Sequence, residues 1–266
     1  MRLHSERPST LTSIVYRQAR AGGGTETAVL PVQRLTADGL PDGCAAVLVT
    51  GDLQGTAASP FGGDPVLLGI ALADYLGVWA EQELIPPVGS LGVLLAGDLY
   101  SAPGADVRGA SGDVSAVWDA FAAAGCAFVA GVAGNHDVID PSCVLDGEVV
   151  TVGGVRIAGV GGVLGPRRTI DDFARSWRGA GPCDVLVLHE GPSGGPTQRG
   201  NPALRDLLSR NPPPLTVCGH VHWDSPIAPL GPGHILNVDG RAVLLQGQPE
   251  TFGRLPVLHD SVWPGR

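Results

Sequence analysis

Five short apolar runs recur along the chain, and each ends at small or polar residues. Val47-Leu48-Val49-Thr50 runs into Gly51-Asp52-Leu53-Gln54-Gly55, and Gly92-Val93-Leu94-Leu95-Ala96 runs into Gly97-Asp98. Phe128 to Ala133 runs into Gly134-Asn135-His136-Asp137, and Val185-Leu186-Val187-Leu188 runs into His189-Glu190-Gly191-Pro192. The last, Leu215 to Val217, enters from three prolines and leaves through Cys218-Gly219-His220-Val221-His222. Short apolar runs of this kind, closed by turn residues, read as strands. Between them the spacing turns helical. Asp64-Pro65 reads as N-cap and first-turn proline of a helix whose Leu67, Leu68, Ala71, Leu72, Tyr75, Leu76 and Trp79 make a core-facing stripe. Asp113 reads as the cap of a second, with Val117, Trp118, Phe121 and Ala124 on one face and Gly125 at its end. Strands alternating with helices predict a parallel sheet with helices packed on it.

Beyond Asp140-Pro141 the texture changes. Glu148 to Val152 and Val155 to Val160, split by Gly153-Gly154, predict a hairpin and with it a second sheet. Arg167 to Arg178 follows as a short helix whose arginines read as a solvated face, with approach of Arg167, Arg168, Arg175 and Arg178 to a phosphate as the alternative. Asn201-Pro202 opens a helix through Leu208, and His234 to Val238 with Arg241 to Gln246 predicts a final hairpin turning at Asp239-Gly240. Near the start, Ile14-Val15-Tyr16 and Ala28 to Val32 read as short strands, forming an added sheet edge or a lid. The tail from Gln248 to Arg266 reads as an extended surface segment. The expectation is one α/β domain over residues 1–266, a four-layer α-β-β-α sandwich of two mixed β-sheets, with a core at about 44–247, an extension at 1–43 and a tail at 248–266.

The polar residues that close the five strands carry the chemistry. Gly, Asp and Asn favour turns on their own account. Five strand ends in one chain, each delivering Asp, Asn or His, point instead to a shared site, at the carboxyl ends where parallel sheets place their ligands. A loop at His220-Val221-His222 lets the two imidazoles diverge, so that they can serve two adjacent metals.

In this order the residues resemble the calcineurin-like metallophosphoesterase superfamily, whose pattern is Asp-x-His, Gly-Asp, Gly-Asn-His-Asp/Glu, a lone His and Gly-His-x-His. The resemblance implies the metallo-dependent phosphatase fold and a pair of divalent cations, Mn²⁺ foremost, with Mg²⁺, Fe or Zn²⁺ also used. It implies a first metal on Asp52, Gln54, Asp98 and His222, and a second on Asp98, Asn135, His189 and His220, bridged by the Asp98 carboxylate. His136 would contact the substrate phosphate beside Asn135 or protonate the leaving oxygen, and Asp137 would orient its ring. Gln54 stands where the family has histidine. Its amide oxygen suits Mn²⁺ or Mg²⁺ better than Fe or Zn²⁺, and the alternative is that it has left the coordination shell to a water. The implied reaction is hydrolysis of a phosphodiester or phosphomonoester by water activated between two cations about 3.5–4 Å apart. Other readings of the same site are a protein phosphatase and a weakened, non-enzymatic interaction module.

Composition narrows the partners. A net charge of −9 with no basic run excludes an extended nucleic-acid surface and leaves a small phosphoester or nucleotide-like substrate. The five cysteines are odd in number, without paired ligand spacing, and lie mostly beside apolar strands, as buried reduced thiols do. Residues 1–43 hold no apolar leader core and no run approaches a membrane span, so no membrane association and a cytoplasmic location are expected.

Overall fold

The computed structural model of the chain describes residues 1–4, 7–166 and 168–247. The larger of its sheets contains β1 (Ser9–Ala19), β2 (Thr25–Asp38), β3 (Ala46–Gly51), then, after helix α1 (Leu68–Glu81), β4 (Leu91–Leu95), and, after α2 (Ser115–Ala123), β5 (Phe128–Gly131). The smaller contains β6 (Val149–Val152), β7 (Val155–Val160), β8 (Val185–Glu190) after α3 (Ile170–Ala180), β9 (Leu215–Gly219) after α4 (Pro202–Ser209), β10 (Ile227–Leu230) and β11 (Gly233–Asn237). The chain then crosses back, and β12 (Arg241–Gln246) joins the larger sheet.

Both sheets are mixed. In the larger the order is β1-β2-β12-β3-β4-β5, with Thr56–Ala57 and Val66–Leu67 adding short strands beyond β1. β3, β4 and β5 run parallel, as do β7, β8, β9 and β11 in the smaller sheet, so all five predicted ligand-bearing strands present their carboxyl ends in register with parallel neighbours.

Alternation within the apolar runs explains why those strands show no polar face. Val47 and Val49 of β3 point into a core shared with Val185 and Val187 of β8, whereas Leu48 and Leu186 point the other way. Leu48, Val93 and Leu95 pack against Leu72, Leu76, Val117 and Phe121 of α1 and α2. Leu186 and Leu188 pack against Phe173 and Trp177 of α3 and Leu204 and Leu208 of α4. A strand buried on both faces must be apolar throughout. The result is the expected α-β-β-α sandwich, its middle core formed between the sheets.

Several local expectations change. The first helix starts at Leu68 and not at Asp64-Pro65, because Val66–Leu67 pairs as a strand with Thr56–Ala57 before the helix begins. The second starts at Ser115, with the Asp113 carboxylate accepting from its amide at 2.8 Å. The helix expected from Arg167 begins at Ile170, fixed by a capping box between Thr169 and Asp172; Arg167 lies outside the described residues, as does the tail from Gln248. Arg168 is not a free surface cation. It donates to Asp146 at 2.8 and 3.1 Å, to the Gly161 carbonyl at 3.0 Å and to Ser176 at 3.2 Å.

Two corrections bear on function. The strands on either side of Asp239-Gly240 do not pair with each other: β11 lies between β9 and β10, whereas β12 pairs with β2 and β3. Asp239-Gly240 is therefore the crossing between sheets, tied down where the Gly240 amide donates to the Gly51 carbonyl at 3.3 Å. The N-terminal strands are also much longer than expected. β2 lies inside the larger sheet beside β12, and the β1–β2 hairpin reaches the cleft described next.

Candidate metal centre

The ends of the parallel strands bring most of the predicted ligands together. Asp98 follows β4, and its carboxylate is buried at 3% exposure. His189 continues the inward face of β8 after Val185 and Val187, so its fully buried ring reaches across to the larger sheet. There its Nδ1 lies 2.9 Å from the Ala96 carbonyl oxygen, which can only accept, so Nδ1 carries the hydrogen. That leaves Nε2 facing Asn135 Oδ1 at 3.1 Å and Asp98 Oδ2 at 3.4 Å. Without a metal Nε2 donates toward these two acceptors; once it gives up that proton, a ring whose Nδ1 is held by a backbone carbonyl is placed as a metal-ligating imidazole is. The His220 ring lies 5.0 Å from that of His189, and atoms of Asp98, His189 and His220 all fall within 4.8 Å of one another. Two nitrogens and a carboxylate, with the Asn135 amide oxygen beside them, fit a divalent cation.

Backbone strain supports the cluster. Among the described residues five non-glycine positions have positive φ, and three are here: Asp52 at 53°, Asp98 at 54° and His220 at 68°. Left-handed backbone at such residues costs of order 1–3 kcal/mol each and persists where the surroundings enforce it. Two glycines make room for the carboxylates. A methyl group at Gly134 would lie 2.0 Å from Asp98 Oδ1, and one at Gly219 would lie 2.0 Å from Asp52 Oδ2. Gly134→Ala is therefore expected to displace the Asp98 carboxylate and weaken divalent-metal affinity about 10-fold or more, as calorimetric titration would read.

The charges agree with a cation site. Burial would lower the pKa of His189, but the hydrogen bond to Asp98 and the charges of Asp52 and Asp98 raise it to about 9. The same contact, with the His136 amide at 3.0 Å, holds the Asp98 carboxyl below its ordinary value although burial pushes the other way. Asp52 is driven well up, by burial first and with Asp239 and Asp98 adding to it. Negative charge is thus crowded around one buried point that favours positive charge.

The other predicted residues are placed as follows. Asp52 Oδ2 accepts from the His220 amide at 2.9 Å, and Gln54 Nε2 donates to Asp98 Oδ2 at 3.1 Å. His222 is not in the group formed by Asp98, His189 and His220; its Nδ1 lies 3.6 Å from Asp239 Oδ1, and Arg241 Nη2 sits over its ring, 3.2 Å from Nε2 and 3.5 Å from Nδ1. His136 lines the cleft, with Nδ1 3.2 Å from Ser111 Oγ. Asp137 does not orient that ring. Its carboxylate instead accepts from the amides of Asp98, Leu99 and Gly134, each at 2.8 Å, and so braces the loops that carry Asp98 and Asn135.

Above the cluster lies a cleft of about 600 Å³. Tyr16, Gln18 and Glu26 of the β1–β2 hairpin form one wall, and Tyr100, Ser101 and the 107–110 loop form another. Its arginines are Arg108 and Arg199, not those of the 168–178 segment. Sequence reasoning missed Asp239, Arg241 and Ser111. Asp239 had a signal, hidden because Asp-Gly also reads as a hairpin turn, and Arg241 had one as the single basic residue opening an apolar strand.

A sequence model of the calcineurin-like phosphoesterase family matches residues 45–224, and the chain belongs to that family. No curated protein sequence matches it. Among solved structures it is similar to TT1561 of Thermus thermophilus, at 14% identity and a TM-score of 0.49 over 74% of this chain and 90% of that one. A second solved chain aligns at 14% identity and a TM-score of 0.50 over 76% and 95%. Vps29 of Entamoeba histolytica, complexed with Zn²⁺, aligns at 15% identity and a TM-score of 0.36 over 73% of each chain. At 14% identity the second likeness, with its TM-score of 0.50, speaks to the fold alone. No helix among the described residues is long and apolar enough to cross a membrane.

Proposed function

We propose that the chain is a metal-dependent phosphoesterase acting on a small or nucleotide-like phosphoester. The observation that carries this reading is the convergence of Asp98, His189 and His220 within 4.8 Å at the floor of a cleft lined by His136. Asp98, Asn135, His189 and His220 would hold a divalent cation, with Mn²⁺ or Mg²⁺ favoured by the oxygen donors. When bound, the cation supplies Lewis acidity toward a phosphoryl oxygen and lowers the pKa of water beside it.

The chain's own groups supply the rest. Ser111 Oγ, 3.2 Å from Nδ1, fixes the His136 ring in the cleft, and in the tautomer where the hydroxyl donates, Nε2–H would be offered to the leaving oxygen or to charge developing on the phosphoryl group. Arg108 and Arg199 line the same cleft and supply fixed positive charge for an anionic ester. Tyr16 and Tyr100 offer flat apolar faces to a leaving group. A cleft of about 600 Å³ bounded by the hairpin suits a small ester better than a phosphoprotein segment. The five unpaired cysteines suit a reducing, cytoplasmic setting.

The test is hydrolysis of bis-p-nitrophenyl phosphate and p-nitrophenyl phosphate by chelator-treated protein, with Mn²⁺, Mg²⁺, Zn²⁺ or no metal restored. Metal-dependent release is expected, and the preferred ester assigns diesterase or monoesterase activity. No turnover with any metal, together with less than one bound ion per chain, would sink the enzyme reading in favour of an interaction module.

A further inference from the structure

The wall that the β1–β2 hairpin gives to the cleft carries a directed chain of hydrogen bonds. Gln18 and Glu26 stand opposite each other across the hairpin, and Gln18 Nε2 donates to Glu26 Oε1 at 2.9 Å. A carboxylate only accepts, so this contact fixes which end of the Gln18 amide is nitrogen. Its oxygen then faces Tyr16, whose hydroxyl donates to Gln18 Oε1 at 2.9 Å. The Tyr16 proton is therefore engaged within the wall. Burial first, with the charges of Asp239 and Glu26 adding to it, raises the Tyr16 pKa above its ordinary value, so the phenol keeps that proton. What remains for a ligand is mostly acceptor: the lone pairs of the Tyr16 oxygen and the second oxygen of Glu26, with a single N–H left on Gln18.

This wall is seated on the loop that follows Asp52. A methyl group at Gly55 would lie 2.4 Å from Tyr16 Cδ2 and 2.6 Å from the Arg17 carbonyl oxygen, so the hairpin packs on backbone one residue from Gln54. Arg17 pairs with Thr56, and Tyr16 is 8% exposed. The same cleft is lined by Arg108, Arg199 and His136, which supply positive charge and donors for a phosphoryl group. It therefore holds two kinds of surface, one suited to an anion and one that welcomes hydrogen-bond donors and repels a second anion. Because β1 and β2 precede residue 45, the second surface lies outside the segment that the family model matches.

We infer that the hairpin wall selects the organic part of the ester, with Tyr16 and Glu26 accepting hydrogen bonds from vicinal hydroxyls such as a polyol or a ribose presents. Hydroxyls match the wall because each both donates and accepts, so a pair of them meets the two acceptors and the remaining Gln18 N–H together. An ammonium group only donates and leaves that N–H without an acceptor. The inference rests on the phosphoesterase reading and names the class of ester that this site takes.

The test compares three matched substituents on phosphorus, 2,3-dihydroxypropyl, propyl and 3-aminopropyl, each as the phosphomonoester and as the p-nitrophenyl diester, with full-length protein and Mn²⁺ restored. In the series that the protein hydrolyses, kcat/KM for the dihydroxypropyl ester should exceed the other two by about 10-fold or more. Calorimetric binding of 3,4-dihydroxybutylphosphonate against butylphosphonate, neither of which is turned over, should show the same order. Glu26→Ala, and Tyr16→Phe, which removes the hydroxyl and keeps the ring on Gly55, should each bring the ratio of dihydroxypropyl to propyl ester toward one. Equal kcat/KM for the three esters in the wild type, a preference for the aminopropyl ester, or a dihydroxypropyl preference that both variants retain in full would overturn the inference and leave the phosphoesterase reading standing. No hydrolysis of any ester in either series would overturn both. The wild-type ratios can refute the inference without any variant having to fold.

Discussion

Asp98→Asn is expected to lower metal-dependent phosphoester hydrolysis by roughly 10³-fold while leaving the fold intact. The substitution keeps the shape of the side chain and removes its charge. That charge is the one shared element of the centre: one carboxylate oxygen accepts from the His136 amide, and the other faces Gln54 Nε2 and His189 Nε2. Without it, His189 loses the partner that does most to raise its pKa against burial, and a cation loses its only anionic ligand in the cluster of Asp98, His189 and His220. Burying a carboxylate is costly unless it is compensated. The metal-free variant should therefore melt within a few degrees of the wild type, and should lose the rise in melting temperature that Mn²⁺ gives the wild type. Calorimetric melts with and without Mn²⁺, alongside the ester assay, check both parts. A variant that keeps more than about a tenth of wild-type turnover would show that the reaction does not depend on this carboxylate.

Asp137→Ala is expected to act on stability first and activity second. Its carboxylate satisfies three backbone amides, those of Asp98, Leu99 and Gly134, all at 2.8 Å. Leaving such donors unpaired costs about 1–3 kcal/mol each, and partial entry of water should bring the total to about 3–5 kcal/mol. A fall of that size in the urea unfolding free energy, with unchanged slope, is the expected reading. Metal affinity should fall with it, because two of the three amides belong to Asp98 itself and to the glycine that makes room for it. A loss under about 1 kcal/mol would show that the loops hold without this brace.

These two residues also show how much of the molecule was legible in its sequence. The strands that deliver the ligands were readable because both faces of each are buried, which makes the runs apolar from end to end and leaves the first polar residue to mark the strand's exit. The role of Asp137 was not readable. Its partners at Asp98 and Leu99 lie 39 and 38 residues away, and nothing in the local pattern distinguishes a carboxylate that orients a neighbouring ring from one that caps a distant loop.

The crossing at Asp239-Gly240 was hidden for a related reason. A tight turn has the same local chemistry whether the next strand returns to its own sheet or passes to the other. Only the neighbours of Arg241 to Gln246 settle it, since β12 lies between β2 and β3. The N-terminal hairpin was under-read because its exposed faces are rich in Thr, Ser, Arg and Gln, so that Ile14, Tyr16, Leu30 and Val32 alone signalled strands that span Ser9–Ala19 and Thr25–Asp38. The consequence reaches function, because this hairpin, outside the segment matched by the family, supplies Tyr16, Gln18 and Glu26 to the cleft.

The most direct test of the central claim is anomalous scattering from crystals of the chain equilibrated with Mn²⁺. The account predicts a peak at the strand ends, ligated by Asp98, Asn135, His189 and His220. A Mn²⁺ ion found elsewhere, with these four side chains uncoordinated at saturating metal, would contradict it.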